Sequence, residues 1–537
     1  MNLSSRKPLS FLALFSLLAL VAVSLSAFSA EPIQARYQQL CAQCHGADRL
    51  GVMGPALLPE NLERLRKPEA IKAIKSGREA TQMAAFGAVL SDEEIKQLVD
   101  WLYTPVEPRP VWGEREIRAS RVVSFAPGSL PDKPQFSADP KNLFIVVEAG
   151  DHHVSILDGD KLEPIFRFQS RYALHGGPKF TPDGRYVFFA SRDGWVSKFD
   201  IWNLKTVAEV RAGINTRNAA VSGDGKFVAV ANYLPNTLAI FDADLNLLKL
   251  LAVVDQSGKK TSRVSAVYDA APRKSFVAAL KDVPELWEIS YDPKAPDIPA
   301  GLIHDYQYKE GAFVPAFLNP RRTSLDDILD DFFFTQSYNE VMGASRGGMG
   351  GADGTVGKSS GKGQVINLDV RRKIATLDLP GMPHLGSGIT WTWQGRPVMA
   401  TPNLNEGVIS IIDMNTWQTI KQINIPGPGF FMRSHENTRY AWVDSMMSPQ
   451  NKDTLTIIDK TTLEVVTKLK PVPGKTLAHV EFTRDGKYAL TSLWESDGAI
   501  IVYDAETLKE VKRIPMKKPV GKYNVYNKTT RSAGTSH

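Results

Sequence analysis

The stretch DGRYVFFASRDGWVSKFD, residues 183–200, decides the architecture of this 537-residue chain. Its Asp183-Gly184 turn opens a strand of alternating β-branched and aromatic residues, and a second strand follows that ends on Asp200. Asp-Gly suits the tight turn of a hairpin, and period-2 alternation marks a half-buried strand. The turn recurs at Gly223-Asp224-Gly225-Lys226-Phe227 and Arg484-Asp485-Gly486-Lys487-Tyr488. The aspartate-terminated strand recurs at Asp158, Asp242, Asp292, Asp369, Asp413, Asp459 and Asp504. With Asp200 included, the successive intervals are 42, 42, 50, 77, 44, 46 and 45 residues. Self-similarity at this period marks a propeller: one short antiparallel sheet cannot bury both faces alone, and a closed ring of them can. Eight repeats give eight blades. The interval of 77 contains Gly347-Gly348-Met349-Gly350-Gly351 and a Gly/Ser/Lys stretch to Gly363, which reads as a flexible surface loop, ordered only if something binds it.

Towards the N-terminus, Cys41-Ala42-Gln43-Cys44-His45 holds the only two cysteines of the chain. Two thiols at this spacing each add to a vinyl group of one haem, and the histidine that follows ligates its iron, so the motif marks covalent haem c. A zinc site would want further ligands nearby. With both thiols committed, no disulfide forms. Tyr37 to Leu40 reads as the end of a helix entering the motif, and Gly54-Pro55-Ala56-Leu57 resembles the loop of small class I cytochromes c. The second axial ligand is expected to be Met83, with Met53 as its rival. Met83 precedes a helix with Ser91 as N-cap, Glu94 at N3 and apolar residues at Ile95, Leu98, Val99 and Leu102. A thioether paired with histidine raises the haem potential and suits electron transfer.

Arg6 and Lys7 precede an apolar run from Leu9 to Leu25, and Ala27-Phe28-Ser29 offers the small residues of a signal-peptidase site. Residues 1–29 therefore read as a signal peptide and the mature protein as exported to the periplasm, with no membrane span after cleavage. The expected layout continues with a small all-α class I cytochrome c domain over 30–104, a proline-rich linker over 105–120 and the all-β eight-bladed propeller over 121–537. A net charge of +6, without a long basic run, gives no sign of nucleic-acid binding and permits acidic electron-transfer partners.

Local stretches narrow the chemistry. Ala173-Leu174-His175-Gly176-Gly177, with the strands that follow, is similar to the part of cytochrome cd1 nitrite reductase that carries the proximal histidine of haem d1. GKYNVYNKT, residues 521–529, resembles the closing strand of that family, and Met382-Pro383-His384 adds to a likeness that runs over most of residues 35–530. Two departures separate the chain from the reductases. Of the two distal histidines on which nitrite reduction depends, one corresponds to His384; where the other should fall, the chain reads Gly311-Ala312-Phe313-Val314-Pro315. His479, in Thr476-Leu477-Ala478-His479-Val480, is outside the reductase set. The pattern more closely resembles the NirN-type family of cytochrome c plus d1-propeller proteins of haem d1 assembly. That resemblance implies an oxidoreductase that desaturates a propionate of dihydro-haem d1 to an acrylate and passes the electrons through haem c to a periplasmic acceptor.

The resemblance also implies a site. Haem d1 or dihydro-haem d1 would be held non-covalently, as substrate or cofactor, with His175 as proximal iron ligand. Proton removal from the propionate needs an imidazole of near-neutral pKa. His479 is the first candidate for distal ligand or base, His384 the second and His435 the third. Tetrapyrrole carboxylates call for cations and phenols, which Arg192, Arg217, Tyr233 and Lys281 would supply. Trp494 would stack near the macrocycle, and Gly521 would let backbone approach it. Partners would be the tetrapyrrole, the electron acceptor, and cytochrome cd1 nitrite reductase with other haem d1 assembly proteins. A haem d1 carrier or electron-transfer cytochrome would need no base, a nitrite reductase would need a distal proton supply, and a protein-interaction propeller would hold no second haem.

Overall fold

The computed structural model describes residues 32–63, 65–78, 83–305, 310–344 and 362–530. The expected signal peptide and the glycine-rich stretch at 347–351 lie outside the described residues. Five helices build the N-terminal domain: α1 (Ile33–Leu40), α2 (Ala42–His45), α3 (Pro59–Leu62), α4 (Lys67–Ser76) and α5 (Asp92–Leu102). α5 starts where its sequence says it should. The Ser91 hydroxyl accepts the Glu94 amide, and the Glu94 carboxylate accepts the Ser91 amide at 2.8 Å. Its apolar face, Ile95, Leu98, Val99 and Leu102, is buried against Tyr37 of α1. Tyr37 is itself fully buried, and its hydroxyl donates to the Gly46 carbonyl at 2.6 Å.

The stretch 105–120, expected as a plain linker, is instead an ordered strap. It ends in α6 (Glu114–Ser120), whose Ile117 is fully buried among side chains of the propeller. The Trp112 indole N–H donates to the Arg211 carbonyl at 3.0 Å, and Arg118 donates to the Leu247 carbonyl at 2.9 Å. Ala56 and Leu58 of the cytochrome domain form one apolar cluster with Ile214 of the propeller. Arg211 stacks over Trp112 and donates to the Leu50 carbonyl, while Arg263 pairs with Glu63 at 3.0 Å. The two domains are therefore joined by packing as well as by chain.

Eight four-stranded blades follow, one carrying Val122–Val123 as an extra edge strand. The repeated aspartates mark the third strands of the blades: six of these strands end on one, for example Trp195–Asp200, Thr237–Asp242 and Ala499–Asp504, while Glu285–Ser290 and Lys362–Asn367 stop two residues before Asp292 and Asp369. The ring closes on itself: the late strand Pro519–Asn524 pairs with Leu143–Glu148 in the first blade, with Ile145 opposite Tyr523. Adjacent blades bury Val, Ile, Ala and Phe between them, as where Val196 and Val210 meet Val228 and Phe241. The long interval has a second cause besides the glycine stretch. A hairpin of Ile298–Asp305 and Glu310–Val314 is inserted between the third and fourth strands of the fourth blade. The first strands line the axis, and residues at their starts surround one axial cavity; a second cavity is lined from the sixth to eighth blades together with Asn527 and Lys528.

Candidate functional site

In the cytochrome domain, Cys41 closes α1, and α2 carries Cys44 and His45. The His45 Nδ1 is 2.8 Å from the Pro55 carbonyl, which makes Nδ1 the protonated nitrogen and leaves Nε2 as the ligand. A Cβ on Gly54 would come within 2.8 Å of the His45 ring, so the loop after the motif packs directly on the imidazole. Met83 packs in the same apolar cluster as Cys41, whereas Met53 is 47% exposed. Burial, and then the neighbouring Cys44, push the Cys41 thiol up to about 11. This donor set fits haem c: Cys41 and Cys44 would attach it, and His45 and Met83 would be its axial pair.

At the end of the propeller axis where the first strands start lies a cavity of about 570 Å³. It brings together seven of the residues expected there: His175, Arg192, Arg217, Tyr233, His384, Trp494 and Gly521. His175 is held by its loop. Its amide donates to the Ala190 carbonyl at 2.9 Å, and Gly176 and Gly177 turn the chain at φ +82° and +70°. The His175 Nδ1 lies 2.7 Å from the Arg217 carbonyl, which directs Nε2 to ligation. The Arg217 Nη1 rests 2.7 Å from that Nε2. A Cβ at Gly176 would stand 2.5 Å from the Asn218 Cβ. Gly176→Ala therefore combines a strained φ with a clash, and its expected cost is more than about 1 kcal/mol of stability, together with weaker tetrapyrrole binding. A thermal melt beside a titration checks both.

The cations are placed by stacking. Arg192 lies over the Tyr233 ring at 5.3 Å, and Arg263 is 5.5 Å from the same ring. Trp494 has the Lys518 ammonium 5.2 Å from its ring. Gly521 approaches Tyr523 so closely that a Cβ would be 2.5 Å from the phenol oxygen.

Three expected residues are placed otherwise. Lys281 is not on the wall; it pairs with Asp330, which is. His479 is fully buried at φ +50°, with Phe431 and Tyr523 packed edge-on against its ring at 4.9 and 5.2 Å. Its neighbour Ala478, not His479, faces the cavity. His435 lies at the other end of the axis.

His384 is on the wall. Its Nδ1 is 2.9 Å from the Phe430 carbonyl, and its Nε2 is 3.6 Å from a carboxylate oxygen of Asp331. Asp331 is in turn fixed by the Tyr268 hydroxyl at 2.7 Å. A proton taken at Nε2 is thus met by a nearby negative charge.

Sequence reasoning missed the apolar part of the wall: Val147, Phe189, Phe430, Phe431, Met446 and Met447. It also missed Asp444, which shapes the loop that carries the two phenylalanines. Its carboxylate accepts the amides of Phe430 at 2.8 Å, Phe431 at 3.2 Å and His479 at 3.3 Å. Burial pushes this carboxyl up to about 6, and the amides hold it from rising further. No local pattern in the sequence announces such a residue, because its partners come from two different blades.

Among the described residues, no helix is long and apolar enough to cross a membrane. The cytochrome D1 heme domain family matches residues 138–316 and 303–528, and the subunit III family of cbb3-type cytochrome c oxidase matches 29–102. Dihydro-heme d1 dehydrogenase of Pseudomonas aeruginosa is 52% identical over 507 residues, 94% of this chain and 96% of that protein. A solved structure of dihydro-heme d1 dehydrogenase NirN in complex with DHE superposes with a TM-score of 0.82, covering 93% of this chain and 100% of that one. Nitrite reductase of Stutzerimonas stutzeri is more distant, 24% identical over 91% of each chain. A covalent-haem domain joined to a D1 propeller, and this identity over nearly the whole length, place the chain in the family of NirN-type dihydro-haem d1 dehydrogenases.

Proposed function

We propose that the protein is a periplasmic dehydrogenase of haem d1 biosynthesis, which oxidises a propionate of dihydro-haem d1 to the acrylate. The observation that carries the reading is the axial cavity. One imidazole, His175, is set for iron; a second, His384, stands with a carboxylate behind it; and arginines are stacked where tetrapyrrole carboxylates would lie. Desaturation of –CH2–CH2– to –CH=CH– removes two protons and two electrons. His384 takes a proton at Nε2 and is stabilised there by Asp331. His479 is the second imidazole proposed for proton removal, and it meets the side chain when the Phe431 ring turns aside. Arg192 and Arg217 orient the carboxylates, and the phenylalanine and methionine wall excludes water. Haem c bound at Cys41 and Cys44 supplies a one-electron outlet towards an external acceptor.

The proposed partners are that acceptor, cytochrome cd1 nitrite reductase and other haem d1 assembly proteins. Protein NirF of P. aeruginosa is 27% identical over 71% of this chain and 90% of its own length. A nitrite reductase is disfavoured by the absence of a histidine over residues 311–315.

The test is direct. The purified protein, with haem c attached, is loaded anaerobically with dihydro-haem d1 and given an electron acceptor. The extracted tetrapyrrole should be lighter by two hydrogens, with transient reduction of haem c in the visible spectrum. Binding with no change of mass would replace the dehydrogenase by a haem d1 carrier.

A further inference from the structure

Lys522 is a fully buried lysine that the wall of the tetrapyrrole cavity does not include. It sits in the closing strand Pro519–Asn524, between Gly521 and Tyr523, both of which are on that wall. Successive side chains of a strand point to opposite faces, so Lys522 turns away from the cavity. Burying an amine is costly unless it is bonded where it ends. What it meets is His479: Lys522 donates to the His479 carbonyl, and its Nζ stands 3.4 Å from the ring Nδ1.

The backbone of His479 departs from its surroundings. It is the extra residue of a bulge in Leu477–Phe482, where Ala478 pairs with Ser492 and Val480 with Thr491. Its φ is +50°, and among the described non-glycine residues in this left-handed region it alone lies inside a strand, the others being in turns and loops. A bulge re-aims a side chain, and such a conformation persists only where its surroundings impose it. Two buried groups impose it here. The Asp444 carboxylate accepts the His479 amide at 3.3 Å, and Lys522 holds the carbonyl from the closing strand. Packing alone would be met by an ordinary residue in unbroken register.

The contact with the ring adds direction. The charged groups that face the Lys522 amine are Glu481 from the strand of His479, Arg433 from Met432–Ser434, and Asp444 from Tyr440–Asp444. Burial holds the amine well below the ordinary lysine range; Arg433 adds to this, and Glu481 and Asp444 oppose it. A neutral amine keeps a lone pair. It can donate to a carbonyl and at the same time accept the N–H of an imidazole. With Nδ1–H so engaged, the basic lone pair of the ring is on Nε2.

We infer that Lys522 is a positioning residue for His479: it fixes the bulged backbone, directs the ring proton to Nδ1 and leaves Nε2 to take a proton from the tetrapyrrole side chain. The proton balance closes. Nε2 gains a proton from the propionate, Nδ1 passes its own to the amine, and the step ends with a neutral imidazole and a Lys522 ammonium that Glu481 and Asp444 favour. The inference rests on the reading of His479 as the second imidazole of the dehydrogenase.

The test uses the intact protein with haem c attached and reduced, labelled with nitrogen-15 at histidine only, and the His479 ring is assigned by its loss in His479→Ala. Before any tetrapyrrole is added, the nitrogen shifts should place the ring proton on Nδ1 in the parent. In Lys522→Met, which keeps the chain length and removes the amine, the proton should move towards Nε2. With dihydro-haem d1 bound, single-turnover reduction of haem c should slow at least ~10-fold in Lys522→Met, as when a catalytic imidazole loses its orienting partner. The double variant should be no slower than His479→Ala alone, since residues that act as a unit are not additive. A parent ring protonated on Nε2 overturns the inference and needs no variant to fold. So does a Lys522→Met that shifts the proton yet keeps the parent rate, or a double variant in which the two losses multiply. A His479→Ala at the parent rate also ends the inference, and leaves the dehydrogenase standing. A parent that binds dihydro-haem d1 without changing its mass is a different result, which removes the dehydrogenase and the inference with it.

Discussion

His175→Ala should lower the affinity for dihydro-haem d1 by at least ~100-fold and abolish its oxidation at concentrations that saturate the parent protein, while haem c keeps its spectrum. The size follows from the bonds involved. Losing an outer-shell partner of a metal ligand typically costs 10–100-fold, and here the ligand itself goes. The hydrogen bond from Nδ1 to the Arg217 carbonyl leaves Nε2 as the nitrogen that would meet iron. Arg217 makes the expectation sharper, because its guanidinium rests against the ligand nitrogen and must turn away before iron can take it. The turned-away guanidinium is then free for a tetrapyrrole carboxylate, which couples ligation to carboxylate recognition. Visible spectra of the bound tetrapyrrole, with and without added imidazole, check the assignment. Imidazole should enter the space left by the ring and restore the ligand bands. Parent-like bands without imidazole would mean that another residue holds the iron.

The propeller was legible because its signal is periodic: six third strands end on an aspartate, the other two reach one two residues further on, and six of the seven intervals fall between 42 and 50 residues. The cytochrome domain was legible because Cys41, Cys44 and His45 act on one haem and therefore sit within five residues. Lost from view was whatever the closed ring assembles from far apart. Phe430 and Phe431 come to the cavity on one blade and Gly176 on another, and no window of sequence contains both. Lys281 shows the same limit from the other side. It was expected among the tetrapyrrole contacts, yet it pairs with Asp330, and Asp330 rather than Lys281 is on the wall. The hairpin from Ile298 to Val314 lies in the same long interval as the glycine-rich stretch, and the length of an interval does not say how many insertions fill it. The strap at 105–120 was hidden by its prolines, although Ile117 and Trp112 were already the apolar residues that dock it.

Alanine at His384 should slow oxidation by ~10²–10⁴-fold, the range that a positioned general base contributes, while leaving the tetrapyrrole bound. The geometry gives the reason. His384 lies on the cavity wall, its Nδ1 tied to the Phe430 carbonyl, its Nε2 near the Asp331 carboxylate. It can therefore accept a proton without moving and without leaving a bare charge in an apolar surround. His479 differs in kind. It stands behind Phe431 and Tyr523, its amide tied to Asp444 and its carbonyl to Lys522, so it acts on the propionate only if Phe431 moves. His479→Ala should give a comparable loss of rate if that motion belongs to turnover, and Phe431→Ala, which opens the way to it, should then leave His479 the more effective of the two imidazoles. The discriminating measurement is the single-turnover rate of haem c reduction in the four proteins, each first shown by its spectrum to hold dihydro-haem d1. A slow His384→Ala beside a fast His479→Ala makes His384 the base and His479 a packing residue. The opposite order makes the movement of Phe431 part of the reaction. Full rates in both would refute an imidazole base and leave the carboxylates of Asp330 and Asp331 as the groups within reach of the cavity.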